Sequence, residues 1–203
     1  MGSALALASV TAVLKHLLEN GLVERGVAAD IGGEVVVSTQ APDRITTGAD
    51  ERTQLNLFLY QITPNTGLRP SNSSVAAKEN KQLSKGPLAL DLYYLITAYG
   101  AQDFHTEILL GATLQVLHET SVLTKEAMRA ALRSVSSTNG GRVVMPALQA
   151  LAASDLAERV EHVTLKPQFL NAEEQTRLWS ALQARYRPSA VYKASTAFID
   201  ERR

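Results

Sequence analysis

The side chains able to do acid–base or metal chemistry are few and dispersed in this sequence. Four histidines are present: His16, His105, His118 and His162. The H-E-x-x-H zinc motif is absent, and His105 and His118 lie too far apart along one predicted helix to share a metal ion. His105 and Glu107 match the H-x-E part of the zinc-deaminase signature, but that signature also requires P-C-x-x-C, and the chain has no cysteine. A hydrogen-bonded structural histidine is therefore favoured at each position.

No other motif supplies a catalytic centre. The sequence contains no G-x-x-x-x-G-K-S/T phosphate loop, no G-x-G-x-x-G turn and no G-x-S-x-G nucleophile elbow. The lack of cysteine also excludes disulfides, thiolate zinc sites and cysteine nucleophiles. We therefore predict no catalytic, cofactor-binding or metal-binding residues and no enzyme activity. The remaining enzymatic alternative is a small metal-dependent enzyme that uses His105 and Glu107.

The composition is that of one globular domain over residues 1–203, with 45% hydrophobic and 20% charged residues. Twenty Lys and Arg balance twenty Asp and Glu, so the chain lacks the basic excess of a dedicated nucleic-acid binder. A secretion signal has a basic segment before its apolar run, and the apolar N-terminal stretch of this sequence has none. No apolar run reaches the length of a membrane span. We therefore expect neither nucleic acid nor a membrane as a partner.

Periodicity places the helices and strands in an α+β order. The predicted helices are Ala4–Glu19, ending near Asn20–Gly21, then Phe104–Glu119, Thr124–Arg133, a short Pro146–Ala153, and Asn171–Gln183 with an Asn171/Glu174 capping box. The predicted strands are Glu34–Gln40, Leu55–Thr63, Pro87–Tyr99, Glu158–Gln168, with Val163 and Leu165 pointing inward, and Ala190–Asp200. This order indicates an α+β fold with a single mixed, largely antiparallel sheet flanked by helices.

Two elements carry more apolar surface than one buried face requires. The strand Pro87–Tyr99 has Leu92, Tyr94 and Ile96 on one face and an only partly polar opposite face, with Asp91 and Leu95. A strand of this kind predicts a sheet covered on both sides, by helices or by a neighbouring subunit. The helix Phe104–Glu119 is apolar nearly all round, which predicts burial within the domain or between subunits.

A long extended loop arm, at about residues 64–86, separates the two longest predicted strands. Hairpin connections are usually short, so a connection of this length is typical of a binding arm or a disordered insert. Its charges are four cations and one anion: Arg69, Lys78, Lys81, Lys85 and Glu79. A solvated loop face would explain them, but one sign of charge within a neutral chain also indicates an acidic contact surface on a partner.

Two further segments stand out in the second half of the chain. Arg185, Tyr186 and Arg187 form a turn before Pro188 and are a candidate contact for an acidic neighbour, although a plain surface turn is an equal alternative. We therefore predict that these three residues, together with the four cations of the arm, belong to a protein interface. The polar stretch Ser134–Gly141 is predicted to be a flexible insert.

Four blocks of the sequence resemble one family. The blocks are LNLFLYQITPNTGLR at Leu55–Arg69, PLALDLYYLITAYG at Pro87–Gly100, HTEILLGATLQVLHETSVLT at His105–Thr124 and LWSALQARYRPSAVYKAS at Leu178–Ser195. In residue sequence and in order along the chain, the blocks are similar to the tail-terminator, or cap, proteins of extracellular contractile injection systems. These systems are phage-tail-like particles made by bacteria. The insert at 134–141 departs from that pattern. So do Thr196 and Ala197, which stand where aliphatic residues are usual and are expected to weaken the last strand.

The resemblance implies a structural role without catalytic residues. Cap proteins of this kind form a sixfold ring on the finished tail, where they contact the inner tube and the sheath, stop polymerisation and hold the two cylinders together. The implied partners are further copies of the chain in a hexameric ring, plus sheath and inner-tube proteins. The implied location is the bacterial cytoplasm during synthesis and a released particle afterwards. The alternative within the same particles is a baseplate or adaptor subunit at the opposite end.

Overall fold

One six-stranded sheet organises the chain, with strand order β1-β2-β3-β6-β5-β4. The computed structural model describes residues 5–67, 88–137, 160 and 162–198. The strands are β1 (Val36–Ser38), β2 (Gln54–Pro64), β3 (Leu88–Tyr99), β4 (Val122–Thr124), β5 (His162–Gln168) and β6 (Ser189–Phe198). β1 runs parallel to β2, and every other neighbouring pair is antiparallel. The predicted α+β fold with one mixed, largely antiparallel sheet is confirmed.

Five described α-helices flank this sheet. They are α1 (Ala6–Glu24), α2 (Val27–Ile31), α3 (His105–Glu119), α4 (Lys125–Ser137) and α5 (Ala172–Ala181). Side chains of α1, α3 and α4 form one buried cluster with Leu57, Leu92 and Tyr94 of the sheet, and we call this side the three-helix face. The opposite side is covered in part by α5, through Trp179 against Leu95 and Val191, and we call it the one-helix face. The prediction of cover on both sides is therefore confirmed for the three-helix face and only in part for the one-helix face.

Helix α1 is longer than predicted, because Gly21 does not end it. The helix continues to Glu24, and the left-handed backbone comes later, at Gly26 with φ of 67°. A Cβ added at Gly21 would lie 2.5 Å from Cγ2 of Val116 on α3. Gly21 therefore allows the close approach of two helices, and the prediction of a stop near Asn20–Gly21 is wrong for that reason.

The predicted capping box at the start of α5 is confirmed. Asn171 Oδ1 accepts a hydrogen bond from the backbone N–H of Glu174 at 2.9 Å, and Glu174 Oε2 accepts one from the backbone N–H of Asn171 at 2.9 Å. Each side chain thus satisfies an amide that has no partner inside the helix. The helix ends at Ala181, slightly before the predicted Gln183.

Helix α3 is buried on one side only. Leu109, Val116 and Leu117 are buried, whereas Leu114 is 40% exposed. The apolar sequence therefore does not correspond to burial on all sides within a single chain, and a contact between subunits remains a prediction for the exposed side. The helix begins at His105 because Phe104 adopts a left-handed backbone, with φ of 69°.

Several boundaries differ from the predictions. Residues 134–137, predicted to be part of a flexible insert, continue α4, and the rest of that insert lies outside the described residues. The short strand β4 and the short helix α2 were not predicted. β1 is shorter than the predicted Glu34–Gln40, and β5 begins at His162 rather than Glu158, after an isolated bridge at Val160. Val163 and Leu165 are buried, as predicted.

Three further predictions concern the arm, a helix and the last strand. The described chain resumes at Leu88 after Gly67, so most of the arm at 64–86 lies outside the described residues, as does the predicted helix at 146–153. β6 pairs with β3 along its whole length, from Ser189 opposite Thr97 to Phe198 opposite Leu88. Thr196 thus occupies a regular ladder position despite its departure from the aliphatic pattern.

Candidate assembly surfaces

His105, the strongest catalytic candidate of the sequence, is part of the packing. Its side chain is buried, and its Nδ1 lies 3.2 Å from the hydroxyl oxygen of Thr53. A Cβ added at Gly100 would collide with the Cβ of His105, so the residue that follows β3 packs directly against the His105 side chain. Glu107 is exposed and accepts a hydrogen bond from the Thr106 hydroxyl at 2.8 Å, which lowers the pKa of its carboxyl. The geometry thus assigns the H-x-E pair to a helix start.

The described part of the chain has neither a cluster of metal-ligating side chains nor a helix that could span a membrane. No three His, Asp or Glu side chains there come together in an arrangement able to hold a metal ion. Among the described helices, none combines the length and the apolar character needed to cross a bilayer. The Nε2 atom of His16 lies 2.9 Å from Nδ2 of Asn20 on the same helix.

Arg187, predicted as an interface residue, is engaged within the fold. Its Nη1 and Nη2 donate to Oε1 and Oε2 of Glu51 at 2.8 and 2.5 Å, and its guanidinium carbon lies 4.9 Å from the centre of the Tyr99 ring. Glu51 Oε1 also accepts the backbone N–H of Gly100 at 2.9 Å. The Glu51 side chain is only 6% exposed. Arg187 therefore joins the segment before β2, the end of β3 and the segment before β6.

The other two residues of that turn lie at the surface. Tyr186 is 61% exposed and meets Trp179 edge-on, with ring centres 5.9 Å apart. Arg185 is exposed. The structure therefore leaves Arg185 and Tyr186 accessible to a partner. The remaining predicted interface residues, Arg69, Lys78, Lys81 and Lys85, lie outside the described residues.

The sequence reasoning missed a polar network on the one-helix face, at the base of the arm. Asp91 Oδ1 accepts hydrogen bonds from Nδ2 of Asn65 at 2.7 Å and from Oγ of Ser195 at 2.6 Å. Asp91 Oδ2 lies 3.5 Å from Nζ of Lys193. Asn65 Oδ1 in turn accepts the backbone N–H of Gly67 at 2.9 Å, which fixes the first turn after β2. An aspartate within an apolar strand was the available signal for this network.

Beyond α5, no described helix covers the one-helix face of the sheet. The residues of this open half-face are Tyr93, Thr164, Lys166 and Lys193, together with Tyr60 at its border with the cluster under α5. Lys166 is exposed and the other four are half-buried, although all five lie on interior strands of the sheet. The rings of Tyr60 and Tyr93 lie 6.3 Å apart. Burial is the largest cause that raises the pKa of Tyr60, followed by Tyr93 and Glu174, so this phenol keeps its proton.

The sheet ends in two short edge strands, β1 and β4, of three residues each. Val36 on β1 and Val122 on β4 have exposed side chains. An edge strand presents backbone N–H and C=O groups on its outer side, and these groups can pair with a strand of another chain. Short edges are also a device against uncontrolled pairing.

A third surface lies beside α5. A groove of about 170 Å³ runs between α5 and the ends of β5 and β6, and Phe169, Leu178 and Trp179 are among the residues that line it. Phe169 is 89% exposed. An exposed aromatic side chain next to an apolar groove is typical of a protein contact.

Comparisons with known proteins give the chain a family. The family model described as the Pvc16 N-terminal domain matches residues 9–203. A search of curated proteins finds no significant relative. These comparisons bear on the resemblance seen in the four sequence blocks, and the family match confirms it.

Two solved structures resemble the chain. One is the sheath/tube terminator, in the extended state, of the extracellular contractile injection system PVC, with 14% identity, a TM-score of 0.46 and coverage of 89% of this chain and 56% of that one. The other is the anti-feeding prophage cap, described as the AFP tube terminating cap, with 17% identity, a TM-score of 0.48 and coverage of 91% and 55%. This chain thus spans little more than half the length of either protein. Because the family model covers almost the whole sequence, the chain belongs to the Pvc16 N-terminal domain family.

Proposed function

We propose that this chain is a structural terminator, or cap, subunit of a contractile injection particle. The observation that carries the proposal is the family match over residues 9–203. In this role the protein ends the inner tube and the sheath and joins them, and it catalyses no reaction. It is made in the bacterial cytoplasm and becomes part of a particle that is released from the cell.

We infer further that copies of the chain form a closed ring, with six copies as in the family that the sequence resembles. A ring of identical subunits requires a head-to-tail interface, in which two different surfaces of each copy meet. Two edge strands at opposite ends of one sheet support such an arrangement, since each edge belongs to a different surface. The exposed side of α3, with Leu114, and the groove beside Phe169 offer further contact area.

The arm supplies the contact to tube and sheath in this proposal. Its cations, Arg69, Lys78, Lys81 and Lys85, together with the exposed Arg185 and Tyr186, are the residues that we assign to acidic partner surfaces. Asn65 and Asp91 fix where the arm leaves the sheet. Opposite charges across an interface mainly speed association and select the partner.

The decisive experiment locates the protein on particles and counts its copies. Gold-labelled protein is expected at one tip of finished particles, at the end away from the baseplate, and particles made without the protein are expected to vary in length. Native mass spectrometry of the purified chain, alone and with particle ends, is expected to detect a six-copy species. Label at the baseplate end would instead identify a baseplate or adaptor subunit.

A second experiment addresses the arm. The triple variant Lys78→Glu, Lys81→Glu and Lys85→Glu reverses most of its charge and is expected to fold normally but to leave many particles without a cap. Circular dichroism checks the fold, and electron microscopy counts capped ends. Full cap occupancy and uniform particle length in this variant would refute the role of the arm.

A further inference from the structure

We propose that the open half-face binds a carboxylate-bearing segment of a tube or sheath protein, with the acidic group seated between Lys166 and Lys193. This inference rests on the proposed function for the identity of the partner. The binding surface itself follows from the sheet register and from the charges on it.

The register places the two lysines directly opposite each other. Lys166 of β5 pairs with Lys193 of β6, and the buried neighbours Leu165 and Ala194 point to the three-helix face, so both lysines lie on the one-helix face. Directly opposite side chains on one face of an antiparallel pair have Cβ atoms about 5 Å apart, and like charges there are destabilising. The register thus sets the two lysine side chains side by side at the sheet, and the Lys193 ammonium group is directed to Asp91 on β3.

The carboxylate nearby neutralises only one of these lysines. Asp91 Oδ2 lies 3.5 Å from Nζ of Lys193, while its Oδ1 is already occupied by Asn65 and Ser195. Lys166 has no ion-pair partner among the described residues, and its side chain is exposed. The surface therefore keeps one positive charge in excess, next to a lysine that is only 24% exposed.

The surroundings of the lysine pair fit a carboxylate better than another anion source such as a nucleic acid. Tyr60 and Tyr93 hold phenol groups on the same face, and a protonated phenol donates a hydrogen bond to a carboxylate oxygen. Thr164, two residues before Lys166 on the same strand face, adds a hydroxyl. Two ammonium groups on a neutral chain are too few for a phosphate-backbone track, which uses many cations.

The location of the surface supports a partner outside the chain. Antiparallel sheets commonly leave one face to solvent, so this face is free to receive a partner, and Tyr93 and Lys193 on β3 and β6 are only half-buried. Asp91, Lys193 and Asn65 also connect this surface to the first turn of the arm. A partner bound here would thus contact the base of the same arm that we assign to tube and sheath.

The test uses the full chain and particles purified from cells that lack it. Lys166→Glu is the main variant, because it places a carboxylate where the proposal requires an ammonium group and breaks no described ion pair. Lys15→Glu is the control for net charge: it changes the net charge equally, Lys15 lies on α1, across the sheet, and the variant gives up only the partly exposed Lys15–Glu19 pair. Binding is measured by co-sedimentation at two salt concentrations.

Lys166→Glu is expected to bind at least about tenfold more weakly than wild type, whereas Lys15→Glu is expected to bind as wild type does. Lys166→Gln is expected to fall between them and to lose part of the salt dependence. Equal binding of wild type and Lys166→Glu would overturn the inference. An equal loss in both glutamate variants would also overturn it, because it would indicate general charge repulsion.

Carbodiimide cross-linking identifies the occupant, because the reagent joins the Lys166 amine directly to a carboxylate in contact with it. A cross-link from Lys166 to a tube or sheath subunit supports the proposal, and a cross-link to a second copy of this chain overturns it. If wild-type protein does not sediment with the particles, the terminator role fails. The same cross-linking test is then made on mixtures of the full chain with isolated tube and sheath subunits. The absence of a cross-link from Lys166 in these mixtures overturns the docking inference, whatever the outcome for the terminator role.

Discussion

Arg187 and Glu51 form a two-pronged ion pair in which Nη1 donates to Oε1 at 2.8 Å and Nη2 to Oε2 at 2.5 Å. The two residues are far apart in the sequence, yet their contact fixes how β6 begins relative to the segment that leads into β2. The Arg187 side chain is 22% exposed and that of Glu51 6%, so the pair is largely shielded from water. A pair of this kind is more valuable as a positioning device than as a source of net stability.

Removing one partner of this pair is expected to be costly. Arg187→Ala leaves the Glu51 carboxylate buried without its cation, and we expect the free energy of unfolding to fall by about 3 kcal/mol. Arg185→Ala is the control, since Arg185 is exposed, and it is expected to change stability by less than about 0.5 kcal/mol. Urea unfolding followed by circular dichroism measures both. Equal stabilities of the two variants would mean that the pair does not hold the three segments together.

Replacing Gly21 by alanine is expected to change stability in the direction opposite to the usual one. Replacing glycine by alanine inside a helix usually stabilises it by about 1 kcal/mol. At Gly21 the new methyl group would lie 2.5 Å from Cγ2 of Val116, so Gly21→Ala is expected to destabilise the protein. Gly111→Ala on α3, where a Cβ meets nothing within 4 Å, is the matched control and is expected to stabilise it.

Thermal unfolding distinguishes the two glycine variants, because their melting temperatures are expected to shift in opposite directions. The double variant Gly21→Ala/Val116→Ala relieves the collision and is expected to recover part of the loss. If both single variants raise the melting temperature, α1 and α3 do not pack as closely as described.

Thr196 on β6 offers a stabilising substitution. Its hydroxyl is buried and has no hydrogen-bond partner among the described residues. Thr196→Val keeps the shape and removes this unsatisfied group, so we expect a gain of about 1 kcal/mol. Thr113→Val is the contrasting variant: the Thr113 hydroxyl donates to the carbonyl of Leu109 at 2.7 Å, and its loss is expected to be neutral or destabilising. Chemical denaturation of both variants checks the difference.

Tyr99 makes stability depend on alkaline pH. Burial raises its pKa from 10.0 to about 12, although the nearby Arg187 lowers it. The folded protein therefore holds this proton more tightly than the unfolded chain does. The corresponding stability is fully present below pH 10 and is lost as the pH rises towards 12. Tyr99→Phe is expected to weaken this alkaline loss while keeping the ring under Arg187.

The alkaline prediction is checked by measuring the unfolding free energy at several pH values. Burial also raises the pKa of Tyr94, so Tyr94 makes a second contribution to the alkaline loss of stability, and Tyr99→Phe leaves that contribution in place. If wild type and Tyr99→Phe lose stability equally over this range, the Tyr99 phenol titrates normally and is not buried as described.

The elements that local signals specify were predictable, and those that depend on distant contacts were not. The capping box of α5 needs only Asn171 and Glu174, which are neighbours in sequence, and it was found. The end of α1 depends on Gly21 meeting Val116 on another helix, so the ordinary meaning of a glycine misled the prediction. β4 is too short to show a period.

The candidate site likewise combines residues that stand out in the sequence with contacts that only the fold creates. Arg187 was recognised as a noteworthy cation, but its partner Glu51 is set by the fold and not by spacing, so its role inside the chain could not be inferred. Lys166 and Lys193 carry no local sequence signal, because each is an ordinary lysine in a strand. Only the register that sets them side by side makes them informative.

The strand directions have a consequence for any ring built from this sheet. β1 is parallel to β2, and the alternation through β3, β6 and β5 makes β4 point the same way as β1. A seam that joins β4 of one copy to β1 of the next would therefore be parallel, and all copies would share one polarity. Such a ring has two chemically distinct flat sides, and a growing cylinder would meet a different set of strand ends on each.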